Sequence, residues 1–140
     1  MNRLNLSVHI AGALLLAVPG TLLAQTAGTA RLRAGAAKVD ITPSQSQLAI
    51  PTDSIRDHLY VRAIVVDDGR TCAALINIDG GARGPVVDPA IAKSSASTKC
   101  PAENYIISGT HSHSASTGGL GGAGSPDAQT ITAAIVSAKT

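Results

Sequence analysis

Runs of β-branched and small apolar residues, broken by clusters of Gly, Pro, Asp and Ser, set the order of elements along the chain. A short strand is predicted over 36–41, halted by Thr42-Pro43. The stretch 44–57 mixes Ser, Gln, Pro and Asp without an apolar period, so no element is expected there. Val61, Ile64, Val65 and Val66 predict a strand over 60–66, and Asp67-Asp68-Gly69-Arg70 supplies residues that tolerate turn geometry. The return strand of that hairpin is 71–79, whose continuous apolar stretch 72–76 suits a central strand covered on both faces. Asp88-Pro89 offers an N-cap followed by proline at the first helical position, predicting a short helix through Ile91 to about Ser97. After Pro101 a second β run begins at Tyr105. Strand, helix, strand implies parallel pairing of 71–79 with 105–110 through a right-handed crossover, with both strand ends on one edge. The Gly-rich stretch 116–124 reads as loop, because a regular element there would lose too much backbone entropy. Beyond Ser125-Pro126-Asp127, residues Ala128, Ile131, Ala134, Ile135 and Ala138 fall on one helical face. The fold class expected is α/β: a partial mixed sheet with a β-hairpin and a strand-helix-strand crossover, forming the front portion of a larger domain.

The first residues stand apart from this pattern. Arg3 supplies a positive n-region, 10–18 is apolar apart from one Gly, and Ala24 closes the run, which is the pattern of a signal peptide over 1–24. The run is shorter than the roughly 20 residues of a spanning helix, so no transmembrane segment is expected in the mature chain. A secreted or periplasmic protein follows, with a flexible lead-in over 25–33 before the domain of 34–140. The net charge of +2 over 140 residues argues against a nucleic-acid partner, whose binder would carry a larger basic excess. Phe and Trp are absent and Tyr numbers two, so the core must be built from Ala, Val, Ile and Leu and will be thin. In an oxidising compartment Cys72 and Cys100 read either as one disulfide or as two buried small apolar residues. Neither has the CxxC neighbour of a metal site.

The constellation that stands out is Gly109-Thr110-His111-Ser112-His113-Ser114, directly after the second β run. In extended backbone His111 and His113 would project from one side and could converge on one ion or substrate group. Neutral imidazole is a good zinc ligand, and the carboxyl edge of an open α/β sheet is where sites gather. Asp79, at the end of the neighbouring strand, is placed to act as a ligand or as the carboxylate that orients an imidazole. The plainer alternative is two polar residues in a solvated Gly/Ser loop. Ser112, Ser114 and Ser116 lack the G-x-S-x-G surroundings of a nucleophile elbow, and 118–122 lacks the Lys-Ser/Thr of a phosphate-binding loop.

Four blocks carry a family resemblance: AGAAKVDITP from Ala34, DHLYVRAIVVDDG from Asp57, ALINID from Ala74, and ENYIISGTHSHS from Glu103. In order and spacing, over most of 34–119, the chain resembles the start of the neutral/alkaline, non-lysosomal ceramidases. The resemblance implies an exported hydrolase that uses zinc to cleave the amide of N-acylsphingosine, with His111 as metal ligand and His113 as catalytic residue. It also implies a ceramide-type lipid substrate presented at a membrane surface. The chain departs from the family in Ser114-Ala115-Ser116, where Ser-Gly-Pro is usual, and in Asp57-His58, where Asp-Pro is usual. The family's further zinc ligands, a second His, a Glu and a Tyr, have no counterpart here, so the expectation is an incomplete copy that is inactive alone. The alternatives are a non-catalytic exported binding module and a related hydrolase of another amide or ester.

Overall fold

The computed structural model describes residues 31–115 and 125–139. The expected signal peptide and the 116–124 loop therefore lie outside the described residues, as does all of the lead-in but its last three positions. Four strands, β1 (Arg33–Asp40), β2 (Tyr60–Asp67), β3 (Cys72–Ile78) and β4 (Tyr105–Gly109), form one mixed sheet in that order. Two helices, α1 (Gly84–Thr98) and α2 (Ala128–Lys139), complete an α/β fold. β1 and β2 run antiparallel, as do β2 and β3, whereas β3 and β4 are parallel with Ala74 opposite Tyr105 and Ile78 opposite Gly109. The strand-helix-strand crossover thus joins the neighbours that the sequence pattern pairs.

The turn between β2 and β3 depends on Gly69, which sits at φ 86° where a side chain would be strained. The Asp68 carboxylate accepts the N–H groups of Arg70 and Thr71, replacing the ladder bonds that end there. In β2 and β3 the alternate residues Val61, Ala63, Val65, Ala74, Ile76 and Ile78 are buried beneath the helices. α2 packs on β1 and β2 and also against α1. Its buried positions Ile131, Ala134, Ile135 and Ala138 are those the helical period picks out. Fully burying an isoleucine contributes about 2 kcal/mol, so Ile131 and Ile135 account for most of this helix's hold on the sheet. Small residues bring the layers close. A Cβ on Gly35 of β1 would run into the Ala138 carbonyl.

Three expectations need correction. β3 is not covered on both faces: Leu75 is 49% exposed and shares a rung with Ile64 and Ile106, also exposed, because α1 and α2 cover the other side of the sheet. α1 does not start at Asp88. It begins at Gly84 with Arg83 as N-cap and Pro85 in its first turn, and it holds Pro89 in its interior. Pro85 fills the favourable first-turn position that Pro89 was expected to fill, and the helix is a turn longer as a result. Finally, β1 begins at Arg33, inside the expected lead-in, because its register with β2 continues to Arg33 opposite Asp67. That end is fixed by ion pairs from Asp67 to Arg33 and Lys139.

A disulfide joins Cys72, the first residue of β3, to Cys100, just after α1, across 28 residues. The amide of Asn104 donates to the Cys72 carbonyl at 3.0 Å beside it. At the end of α1, Lys99 adopts the left-handed conformation (φ 61°) while Thr98 Oγ1 shares a 2.7 Å hydrogen bond with the Tyr105 hydroxyl. The crossover is thereby tied at the amino ends of its two parallel strands. Closing a loop of this length restricts the unfolded chain enough to contribute about 3.6 kcal/mol. The Cys72→Ala, Cys100→Ala double variant should lose about that much stability in urea unfolding. A loss below about 1 kcal/mol would show that the loop gains nothing from closure.

Candidate functional site

The carboxyl edge of β3 and β4 is built from a close approach of two backbones. Thr110 N–H donates to the Ile78 carbonyl at 3.0 Å, and His111 N–H donates to the Gly80 carbonyl at 2.8 Å. In the opposite sense, Gly80 N–H donates to Thr110 Oγ1 at 2.9 Å. Gly109 makes this possible, since a Cβ there would lie 2.6 Å from the Gly80 oxygen and 2.8 Å from the Ala82 nitrogen. Drawn back over Gly80, the chain cannot stay extended: His111 turns to φ 57°, and a 3-10 turn follows over His113–Ala115. The strand-like alternation expected of the two histidines is replaced by this turn. Their rings still meet, with centroids 5.3 Å apart and planes 22° from parallel, and both side chains are exposed.

Asp79 reaches the same edge, but its carboxylate turns to β2. Oδ2 accepts from Arg62 Nη1 at 2.7 Å and from the Tyr60 backbone N–H at 2.9 Å. The guanidinium of Arg62 lies 4.9 Å from the Tyr60 ring centre, with Lys38 Nζ at 4.6 Å. Asp79 therefore fixes the start of β2 and, through Arg62, a cation-π cluster on Tyr60.

A cleft of about 640 Å³ opens beside this edge. Thr42, Pro43, Leu48 and residues 54–59 line it from the β1–β2 loop, and Asp79, Thr110, Ser112 and Ser114 line it from the strand ends. His111 and His113, which alternate with those hydroxyl residues, do not line it; among the described residues its imidazole is that of His58. His58 Nδ1 lies 2.8 Å from Asp40 Oδ2, whose other oxygen accepts the Thr42 N–H at 2.8 Å. Thr42 Oγ1 in turn accepts the Leu59 N–H at 2.9 Å, and the His58 ring stacks on Tyr60 at 6.1 Å. Hydrogen bonds from the Thr42 side chain and backbone, then from His58, hold the Asp40 carboxyl down at about 2. No local sequence signal marks this pair, whose 18 residues of separation close once β1 and β2 are paired with Asp40 opposite Tyr60.

His111 and His113 are the donor type zinc prefers, yet a catalytic zinc takes about three protein ligands. Among the described residues no group of three or more His, Cys, Asp or Glu comes together, and Asp79 is engaged by Arg62. The described residues thus contain no complete set of zinc ligands. No helix among them is long and apolar enough to cross a membrane. Compared with models of known protein families, with curated proteins and with solved structures, the chain matches none.

The Asp40 anchor carries a pH dependence whose sign is set by its lowered pKa. A carboxylate held below its usual 3.8 steadies the fold above that value, and the contribution fades as pH falls towards about 2. Carbon-13 NMR of the Asp40 carboxyl should show a midpoint at about 2, with the Thr42 amide shifting alongside it. A midpoint near 3.8 would mean that the Thr42 and His58 bonds do not form in solution.

Proposed function

We propose that the chain carries one edge of an amide-hydrolysing site of the ceramidase type. The observation that supports this reading best is the stacked His111–His113 pair, held by Gly80 and Thr110 at the carboxyl edge of two parallel strands. That edge is where open α/β sheets collect binding groups. His111 is the proposed zinc ligand and His113 the proposed catalytic imidazole, following the THSHS resemblance. The substrate class is an N-acylated sphingoid lipid, met at a membrane surface after export of the protein. Zinc, when bound, would polarise the amide carbonyl and acidify a water. The remaining ligands are proposed to come from beyond the described residues, as part of a larger catalytic domain of which 34–140 forms the amino-terminal segment.

Zinc titration of the purified chain, with a fluorescent-ceramide assay alongside, tests this reading. Zinc should bind weakly and through His111, with affinity at least about ten-fold lower in His111→Ala, because each absent ligand leaves water in its place. Ceramide turnover by the chain alone should be undetectable, since a loosely held metal neither fixes its water nor shields it. Zinc affinity unchanged in His111→Ala would remove the proposed ligand and the reading with it.

A further inference from the structure

The cleft between the β1–β2 loop and the strand ends holds an imidazole arrangement separate from the His111–His113 pair. We propose that Asp40 and His58 form a metal-independent proton-transfer dyad for this cleft, acting on carboxylic esters with a short aliphatic acyl group. Three features support it. First, His58 lines the cleft while its Nδ1 is bonded to the Asp40 carboxylate, so Nε2 is the ring nitrogen left to exchange a proton there. Second, the dyad is held from several sides: Thr42 N–H fixes the carboxylate, Leu59 N–H fixes Thr42, and Tyr60 stacks on the imidazole. A general base must be oriented before it is efficient, and these contacts hold the ring on an otherwise irregular loop. The carboxylate stays ionised down to about pH 2, so its charge faces His58 throughout the working range.

The third feature is the composition of the lining. Leu48, Ile55 and Leu59 offer apolar surface to an acyl chain, while Ser112 and Ser114 stand among the hydroxyls. Their oxygens lie 3.0 Å apart, so one hydroxyl donates to the other and the pair keeps one O–H to offer a developing oxyanion. In the step proposed, His58 Nε2 takes a proton from water as the water oxygen bonds to the ester carbonyl carbon. The carbonyl π electrons move onto oxygen. The tetrahedral intermediate then collapses, the bond from carbon to the alcohol oxygen breaks, and the imidazolium returns its proton to that oxygen. One water and one ester give one acid and one alcohol, with no redox partner and no metal.

The inference does not rest on the zinc reading, and its test keeps the two apart. Hydrolysis of p-nitrophenyl butyrate by the purified chain is followed in excess EDTA, against free imidazole at equal concentration. The rate should exceed the imidazole control about ten-fold or more, fall to the control in His58→Gln, and drop about ten-fold in Asp40→Asn, within the range typical of general-base catalysis. Because either substitution could disturb the loop, the unsubstituted chain is also treated with diethyl pyrocarbonate, and the modified histidines are mapped by mass spectrometry. Loss of rate should follow carbethoxylation of His58 and be restored by hydroxylamine. A rate no better than free imidazole, a rate abolished by EDTA, or a rate that survives modification of His58 would each overturn the proposal.

Discussion

The turn that ends β4 depends on how closely Gly109 approaches the backbone of 80–82. With no Cβ on Gly109, Thr110 and His111 settle onto the carbonyls of Ile78 and Gly80, and Gly80 returns a bond to the Thr110 hydroxyl. These contacts stop β4, turn His111 into the left-handed region and bring its ring over His113. A larger residue at 109 would meet backbone on the far side, which cannot swing aside as a side chain can.

The opposite end of the same strand pair is closed by covalent chemistry. The Cys72–Cys100 bond, with Asn104 on the Cys72 carbonyl, limits where β4 can begin, so the crossover is held at both ends. That matters in a chain whose core contains one buried ring, Tyr105, among the described residues, and is otherwise mainly Ala, Val and Ile. Such a core has little apolar area to spare, and constraint of the unfolded chain supplements it. The exposed Ile64, Leu75 and Ile106 rung belongs to the same picture: one face of the sheet does the burying and the other keeps large apolar groups in water.

Local pattern made the strands legible, since β-branched runs and the Asp-Asp-Gly-Arg turn carry their meaning within a few residues. The parallel pairing was legible for the same reason, a helix signal standing between two β runs. The start of α1 was not, because Gly84-Pro85 and Asp88-Pro89 each resemble a helix entrance and only the packed chain decides between them. At the site, the approach of Asp79 and the histidines to one edge could be read from topology. The Arg62 bond to Asp79 could not, since it depends on β2 lying alongside, a contact 17 residues away. The Asp40–His58 pair was hidden likewise behind an irregular loop whose ends meet only through the β1–β2 register.

The proposed zinc ligand, His111, stands beside His113 at the carboxyl edge of β3 and β4. Nitrogen-15 NMR of the chain with substoichiometric Co²⁺ tests this proposal most directly, because paramagnetic effects fall steeply with distance from the ion. The account predicts that amides of 110–114 are perturbed first and those of Asp79 and Gly80 next. Perturbation centred instead on His58, or spread over the surface without a centre, would contradict it.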